Sequence, residues 1–495
     1  MLRTLPAKSY CSLGIRSVGP LAARAPCLAP CGVGRCHLLF ASTSARRRQN
    51  PPLLSEAAAA THAETAAISP SPPSAQSSAP NPPLSLLPLS VILRSLVLTA
   101  VTSSPLLLPP SLKLLARLAS HPTHSALVHW LLKRTFYAQF CAGESRVEVQ
   151  RTVGRLKEMG YSGVILVYAR ELGLEHHDAA TALEGGPKED ERSLRDIEVW
   201  KEGTMETVRL ASAGDFVSLK LTGAGPTAIH HLTQLLPPPP ALLTALHQIC
   251  TLAQTSHIRL LIDAEHSLLQ PGIDAWTLSL MRRYNNNNNS NNNPQRPPSA
   301  GALVYNTYQA YLRSTPTTLA AHLAAAHSEG FTLGAKLVRG AYLASEPRRG
   351  TIIHATKAAT DRAFDRLAAD LIARPRASLV LATHNLASVR GAQALLAARG
   401  PGPAAAAAPA VVHAQLMGMA DEVSGELLLQ ARAAPATAVY KYLPWGSVGE
   451  CMGYLLRRAE ENRDALGRTR AGRDELAREV WRRVRGLVGW LVRGG

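Results

Sequence analysis

The first 55 residues contain no acidic side chain, and this absence separates the N-terminus from the rest of the chain. Residues 1–50 instead carry eight basic residues and are rich in Ser and Ala. This composition is typical of a mitochondrial transit peptide. A secretory signal is disfavoured because no continuous apolar core follows the first charges. We therefore predict that residues 1–50 are a transit peptide that lies outside the fold.

Cysteine is scarce outside that segment, since four of the seven cysteines fall within the first 36 residues. The spacing from Cys27 to His37 is a weak match to a zinc site, which would need a closed and folded ligand set, and we expect no metal centre. Cys141, Cys250 and Cys451 form no disulfide pattern, which fits a reducing compartment.

Long uninterrupted apolar runs are also lacking. Residues 84–108 come closest, but Pro88, Arg94 and Pro105 interrupt them, so they predict a poor membrane-spanning helix. Two interpretations stay open, an amphipathic segment lying against a membrane and a helix packed on the fold. We predict a disordered Pro/Ser/Ala-rich linker over 51–86, an N-terminal helical segment over 87–160, and low-complexity loops without chemistry at 237–240, 285–293 and 404–408.

The positive charge is concentrated at the two ends of the chain. The formal net charge is +18, and the stretch from Arg463 onward has nine arginines against four acids, which leads us to assign 481–495 as a basic C-terminal tail. Between the two ends, basic residues outnumber acidic ones only slightly, so a nucleic-acid-binding surface is not needed to explain the composition.

Eight short β-prone runs alternate with segments of helical composition, such as 353–373, 386–398 and 421–433. This alternation predicts an α/β fold, a (βα)8 TIM-type barrel over residues 161–480 that follows the helical extension. The runs are 163–167, 216–221, 258–262, 302–305, 331–338, 378–381, 410–416 and 437–440.

Polar side chains follow these runs, and the carboxyl ends of barrel strands meet on one face. In the stretch from Lys336 to Tyr342, Lys336 shares the strand phase of Val338 and can point inward. Arg339 comes at the strand end, and Gly340 would let the backbone approach a bound group. A solvated strand end is the alternative. The other polar residues are Lys220, Asp263, Glu265, Gln309, Thr383, His384, Asn385, Gln415 and Tyr442.

The helix predicted after the last strand has one chemically distinctive face. Tyr454, Arg457, Arg458 and Glu461 are spaced so that they share it. Two adjacent guanidinium groups can bind a carboxylate, and Glu461 can pair with Arg457 and orient it. An exposed ion-paired face is the alternative interpretation.

At this point the sequence resembles a known family. Tyr442-Leu-Pro-Trp-Gly446 followed by Tyr454-Leu-Leu-Arg-Arg-Ala-Glu-Glu-Asn462 is similar to the C-terminal signature of proline dehydrogenases. The resemblance continues in the same order along residues 86–480, and the long N-terminal extension and the insertions are similar to those of fungal members. The further matching blocks are 219–223, 262–265, 306–309, 336–342, 382–385 and 415–419.

The resemblance implies a distorted barrel that holds FAD without a Rossmann fold, which agrees with the lack of a G-x-G-x-x-G motif after the first strand. It implies oxidation of L-proline to Δ1-pyrroline-5-carboxylate in mitochondria, with quinone as electron acceptor and peripheral contact with the inner membrane. Asp263 and Lys336 would be catalytic. Substrate would be bound by Lys220, Tyr342, Tyr442, Tyr454, Arg457, Arg458 and Glu461. The flavin would be bound by Ala264, Gln309, Lys336, Arg339, Gly340, Ala341, Thr383, His384, Asn385 and Gln415.

Some positions depart from the commonest family pattern. Gly453 stands where many members have Pro, Trp445 and Ser447 replace residues that are often Tyr and Pro, and Val167 stands where some members have Asp. These changes bear on the rigidity of the substrate loop, while every cationic position is kept. The alternatives to a proline dehydrogenase are another flavin barrel, similar to methylenetetrahydrofolate reductase, and an inactive barrel that serves as an interaction protein.

Overall fold

The computed structural model describes residues 82–493, apart from gaps at 105, 108, 112, 114–125, 171–189, 287–300, 344–345, 347–348, 375, 399–410, 434–436 and 465. All of these residues belong to a compact unit of residues 78–495. The predicted transit peptide, the linker as far as residue 81, and the insertion at 404–408 lie outside the described residues, as does most of the Asn-rich tract.

Eight parallel strands close into a barrel, in which each strand pairs with its neighbours in chain order and β8 pairs with β1. The predicted fold class is therefore confirmed. The strands are β1 (Gly163–Tyr168), β2 (Phe216–Leu219), β3 (Arg259–Ile262), β4 (Val304–Gln309), β5 (Leu333–Val338), β6 (Ala377–Ala382), β7 (Val411–Leu416) and β8 (Ala438–Trp445).

Two strands extend at least four residues further than the apolar runs that predicted them. The run 302–305 corresponds to β4, which continues to Gln309, and the run 437–440 corresponds to β8, which continues to Trp445. Both extensions contain polar residues that find partners inside the fold, such as the Thr307 hydroxyl on the Ile262 carbonyl at 2.7 Å. Burial of a satisfied polar side chain is tolerated, so hydrophobicity underestimates the strand length.

Helices surround the barrel and extend it at both termini. The N-terminal helices are α1 (Leu89–Ser103), α2 (Ala126–Leu132), α3 (Ala138–Phe140) and α4 (Arg146–Met159), with a π-helical turn at Lys133–Tyr137 between α2 and α3. Those between strands are α5 (Glu191–Leu210), α6 (Pro226–Thr233), α7 (Pro240–Thr255), α8 (Gln270–Tyr284), α9 (Thr315–Glu329), α10 (Arg349–Ile352), α11 (Lys357–Ile372), α12 (Leu386–Ala397) and α13 (Asp421–Ala433). After β8 come α14 (Val448–Asp464) and α15 (Leu466–Arg493).

The two ends of the barrel interior differ in chemistry. At the amino ends of the strands, the rings of Phe216, Tyr305 and Tyr440 fill the interior, with Phe216 in edge-to-face contact with each of the other two at 5.4 Å. Arg259 covers this cluster, its guanidinium 3.7 Å from the Phe216 ring centre. The apolar plug leaves the carboxyl ends as the polar end of the interior, where barrel enzymes place their sites.

The structure corrects two assignments at the edges of the barrel domain. Pro83–Leu86, placed at the end of the disordered linker, form a 3-10 helix with Leu84 buried, because α13 and α15 both pack against them. Asn285, placed in a loop insertion without chemistry, is a buried residue at the end of α8 whose side chain bonds the backbone of two other segments, at Leu303–Val304 and at Thr332. Among the described residues, no helix combines the length and the apolarity needed to cross a membrane.

Candidate active site

Asp263 is the centre of a buried polar network at the carboxyl ends of four strands. Its carboxylate accepts hydrogen bonds from Ser218 at 2.6 Å, from the Tyr442 phenol at 2.7 Å and from Lys336. The Lys220 ammonium lies 3.6 Å away. The predicted convergence of Lys220, Asp263, Lys336 and Tyr442 is therefore observed, and Lys336 points inward as its strand phase predicts.

The charges in this network fix its protonation states. Burial alone would raise the pKa of Asp263, but the adjacent Lys336 and Lys220 outweigh burial and hold this pKa well below its usual range. Burial and the neighbouring Asp263 carboxylate raise the pKa of Tyr442. The pocket therefore contains a carboxylate, two lysines and a neutral phenol that donates to the carboxylate.

Helix α14 brings the second set of predicted residues against this network. Tyr454 and Tyr442 belong to one apolar cluster. The Arg458 guanidinium lies 4.9 Å from the Tyr454 ring centre, and Glu461 binds it at 2.7 Å. Glu461, which is predicted to orient the arginines, thus pairs with Arg458, one helical turn before it.

Two buried polar atoms on α14 lack a partner. Arg458 is 5 % exposed, yet its Nε makes no hydrogen bond to any described residue, and the same holds for the buried Tyr454 hydroxyl. Buried donors without partners are costly and rare in native proteins. Their position beside Tyr442 indicates a place for a hydrogen-bonding ligand that carries negative charge.

A second cationic group, the Arg339 guanidinium, lies at the end of β5 and is fixed by hydrogen bonds and by an aromatic ring. Its guanidinium donates to Asp361 at 2.7 Å, to Thr383 at 2.5 Å and to Ser388 at 2.8 Å. The Phe364 ring lies 4.4 Å from it. The fixed guanidinium occupies the same carboxyl end of the barrel as the Asp263 network.

The structure gives Gly340 a packing reason for being glycine, in addition to the predicted approach of its backbone to a bound group. Its φ is +137°, and a Cβ atom there would lie 1.8 Å from the Tyr311 ring. The space against this glycine is thus occupied by a side chain of the protein. Ala341 is exposed, and Tyr342 is half-buried with its ring 6.4 Å from that of His266.

The remaining predicted flavin contacts tie neighbouring strand ends together. The Leu416 amide donates to His384 Nε2 at 3.1 Å, and Gln415 donates to the Thr383 carbonyl at 3.4 Å. Gln309 donates to the Glu265 carbonyl at 3.0 Å, next to the buried Ala264. Asn385 caps α12 by accepting from the amides of Ala387 and Ser388. To contact a ligand, each of these side chains would have to use a hydrogen-bond donor or acceptor that is left over from these bonds.

Sequence reasoning missed several residues that organise the pocket. Ser218 shares the strand phase of Lys220 and could have been found by extending the inward-facing series back along β2. Asp361 lies on α11 and Ser388 on α12, and no local pattern links either residue to Arg339. Their roles depend on helix packing that the sequence does not display.

A closed parallel barrel with a cationic, carboxylate-centred pocket at the carboxyl ends of its strands defines a TIM-barrel enzyme. Residues 149–471 match the family model described as proline dehydrogenase. The chain belongs to the proline dehydrogenase family, as its resemblance predicts.

Named relatives include both proline and hydroxyproline dehydrogenases. Hydroxyproline dehydrogenase of Mus musculus is 31 % identical over 410 residues, which cover 72 % of this chain and 83 % of the relative. The probable mitochondrial proline dehydrogenase of Schizosaccharomyces pombe is 29 % identical, with coverage of 73 % and 82 %. Human mitochondrial proline dehydrogenase 1 is 35 % identical over 238 residues, which cover 46 % and 36 %.

The fold has a counterpart among solved structures. Proline utilization A of Bdellovibrio bacteriovorus, inactivated by N-propargylglycine, superimposes with a TM-score of 0.52 at 17 % identity. The match covers 68 % of this chain and 34 % of that one, so this chain spans about a third of the larger protein. At this identity the likeness concerns the barrel fold alone.

Proposed function

We propose that this protein is a mitochondrial, FAD-dependent dehydrogenase that oxidises L-proline to Δ1-pyrroline-5-carboxylate, the first step of proline catabolism. The single observation that carries the proposal is the buried Arg458 guanidinium, whose Nε has no partner among the described residues. With Arg457 beside it, Arg458 is suited to the carboxylate of a small amino acid. The Tyr454 hydroxyl could donate to the same group.

The Asp263 network suits oxidation of an amine. Loss of a hydride from the carbon next to nitrogen, together with a proton from that nitrogen, leaves the imine, and this requires a neutral amine. Lys220, Lys336 and Arg458 disfavour a second positive charge in the pocket and therefore favour the neutral amine. Asp263 holds both lysines in place, and Tyr442 limits the room around the substrate ring.

FAD, when bound, would accept the hydride. The polar residues at the ends of β3 to β7 suit this cofactor, because cationic, amide and hydroxyl donors there match its phosphate, ribityl and ring acceptors. Arg339 is pinned by three hydrogen bonds and would meet a phosphate without having to be ordered. Lys336 would stabilise negative charge on the ring system. The further candidates to hold the flavin are Ala264, Gln309, Gly340, Ala341, Thr383, His384, Asn385 and Gln415.

The electron acceptor and the membrane contact are the more specific parts of the proposal. The mitochondrial relatives from fission yeast and human support a mitochondrial location. We infer that quinone accepts the electrons and that the protein contacts the inner membrane peripherally. Reduction of a soluble quinone analogue by proline, measured with the purified protein, tests the acceptor without any membrane.

Trans-4-hydroxy-L-proline is the second candidate substrate. The similarity to hydroxyproline dehydrogenase over most of both chains favours it. The bulky Tyr442 beside Asp263 opposes it, because the phenol takes space that a 4-hydroxyl group would need. Parallel kinetics with both substrates decide between them.

Arg457→Met and Arg458→Met test the assignment of the carboxylate site. Each change removes a charge-assisted contact worth about 1.5–3 kcal/mol, so kcat/KM for proline should fall roughly tenfold to more than a hundredfold while flavin stays bound. Arg390→Met is the matched control, because Arg390 pairs with Glu426 on the barrel exterior. Wild-type efficiency in either test variant would refute the assignment. A yellow protein whose flavin proline fails to bleach would refute the proposed activity and favour another flavin barrel or an inactive one.

A further inference from the structure

The first and last described helices of the protein pack on each other outside the barrel. Buried Ile92 of α1 and Leu476 of α15 form a small apolar cluster with Leu84 and Leu87, to which Leu96 and Val480 add. The orientation of α15 is fixed by Arg483, which donates to the carbonyls of Leu84, Ser85 and Leu87 at 2.9–3.2 Å. Its other partner is the buried Glu479 at 2.7 Å.

This fixed orientation turns large apolar side chains of α15 toward solvent. Trp481 is 62 % exposed, and Val484 and Val488 are exposed on the same stripe, three and seven residues further along the helix. Leu487 and Trp490 extend the exposed apolar surface toward the end of the helix. Such a stripe on a helix whose opposite face is packed is unusual for a soluble surface.

Helix α1 presents a matching stripe. Leu89, Leu93 and Val97 are spaced four residues apart and are all exposed. By helical spacing this stripe adjoins the side of α1 that carries Leu96, which packs toward α15. We call the exposed apolar residues of both helices, namely Leu89, Leu93, Val97, Trp481, Val484, Leu487, Val488 and Trp490, the α1–α15 face.

The charge around the α1–α15 face is positive. Residues 477–493 contain five arginines and a single acid, Glu479, which is buried and paired with Arg482 and Arg483. Arg478, Arg482 and Arg485 are exposed beside the apolar stripe. Helix α1 has no acidic residue, and its single charged residue is Arg94. Tryptophan and leucine beside exposed arginine are the composition of helices that lie in a lipid interface.

We propose that the α1–α15 face docks on an anionic lipid bilayer, with both helices in the plane of the interface. This inference identifies the surface responsible for the membrane contact in the proposed function and does not depend on the chemistry assigned to the barrel. Charge complementarity selects lipid over a second copy of the chain, because two copies would bring the same arginines together.

The location of the face also connects it to the barrel. A cavity of about 80 Å³ lies beneath the pair, lined by Leu98 and Thr102 of α1 and Leu476 of α15. On its barrel side the lining includes Met419 and His384, the latter a candidate flavin contact. Docking by this face would therefore bring the carboxyl end of β6 toward the lipid.

Binding of the full chain to vesicles of phosphatidylcholine with phosphatidylglycerol tests the proposal. Tryptophan emission should be quenched by brominated acyl chains, and Trp481→Phe should lose a distinct part of that quenching. Residues 1–50 contain no tryptophan, so this signal is blind to the basic N-terminus. Combining Trp481→Ser with Val488→Asp should weaken vesicle binding about a hundredfold, since two apolar side chains no longer enter the interface.

Val147→Asp on α4 is the matched control, because Val147 is equally exposed but lies outside the face. It should bind vesicles like the wild type, and all variants should keep wild-type turnover with a soluble acceptor. The proposal is overturned by unchanged quenching in Trp481→Phe, by equal binding to purely neutral vesicles, or by no vesicle binding at all. A dimer that the double substitution dissociates, without any change in vesicle binding, would assign the face to a second copy instead.

Discussion

Two buried lysines on the barrel strands make the same kind of ion pair on opposite sides of the sheet. Lys336 of β5 points into the barrel and binds Asp263. Lys441 of β8 points outward and binds Asp421 at the start of α13, at 2.7 Å. They are 6 % and 2 % exposed, respectively. Burial and an acidic partner therefore do not distinguish a lysine in a reactive pocket from one that supports the structure.

The difference between the lysines lies in how their remaining donors are used. Lys441 also reaches the carbonyls of Met419 at 3.2 Å and Leu416 at 3.4 Å, so each ammonium proton has an acceptor. Burial alone would lower the pKa of Lys441, but the Asp421 charge outweighs it and raises this pKa. Lys336 has one hydrogen-bond partner among the described residues and faces the Tyr442 ring at 5.4 Å. Because the interior lysine has spare donor capacity beside polar neighbours, we propose it as the functional one.

The largest effect that we expect from this comparison is a loss of stability when Lys441, the lysine on the outside of the barrel, is replaced. Lys441→Met would leave the half-buried Asp421 without its cation and the carbonyls of Leu416 and Met419 without a donor, so the free energy of unfolding should fall by about 3–5 kcal/mol. The folded fraction should keep wild-type kcat with proline. Urea denaturation, together with turnover per bound flavin, measures both quantities. Loss of kcat without loss of stability would reverse the roles that we assign to the two lysines.

Lys336→Met should have the opposite profile. Removing an electrostatic stabiliser from the reacting centre typically costs about 10²–10³ in rate, so kcat should fall by that amount. The stability loss should be smaller than for Lys441→Met, because Asp263 keeps Ser218, Tyr442 and Lys220 as partners. Rapid-mixing measurements of flavin bleaching by proline give the rate, and denaturation of the same sample gives the stability. A variant that reduces flavin at the wild-type rate would exclude Lys336 from the chemistry.

The sequence contains most of the fold and part of this comparison. Alternating apolar runs and helical segments identify the barrel, and the strand phase of Lys336 places its side chain inside. The run that predicts β8 stops at residue 440, because Lys441 interrupts the hydrophobicity. The outward ion pair that makes Lys441 compatible with a strand involves Asp421, twenty residues earlier, and composition alone cannot display this pairing.

The parts of the site that could not be predicted depend on packing between distant segments. The partners of Arg339 on α11 and α12 are set by the angles at which those helices cross the barrel. Glu461 on α14 pairs with Arg458, and helical spacing alone does not choose between Arg457 and Arg458, since it permits both. The Tyr311 ring also requires glycine at position 340, and only a three-dimensional contact reveals this requirement.

A histidine on the outward-facing side of the barrel sheet extends the comparison to the pH dependence of stability. His413 of β7 is buried, with Gln393 of α12 3.1 Å from its Nε2, and burial lowers its pKa to about 4. The unfolded chain binds this proton near pH 6.5, so the stability contributed by His413 is present at neutral pH and is lost as the pH falls from 6.5 toward 4. Between pH 7 and pH 5 the loss should be about 2 kcal/mol. His413→Gln should flatten that part of the stability profile and leave the pH dependence of kcat unchanged, whereas parallel stability profiles for both proteins would contradict the assignment.

The smallest expected effect concerns substrate choice and involves Tyr442, which lies in the barrel interior. Tyr442 donates to Asp263 at 2.7 Å, which fixes the phenol in the pocket, and we propose that it takes the room a 4-hydroxyl group on the substrate ring would need. Steric overlap and an unpaired hydroxyl should favour L-proline over trans-4-hydroxy-L-proline by about 2–4 kcal/mol. Tyr442→Ser should shrink that ratio of kcat/KM values by about tenfold, chiefly by lowering the efficiency with proline. Tyr442→Phe separates two causes, because it keeps the bulk of the ring and removes the bond to Asp263, so the ratio should survive in this variant. An unchanged ratio in Tyr442→Ser, or a wild type that prefers hydroxyproline, would remove Tyr442 from the specificity argument and favour the activity after which the mouse relative is named.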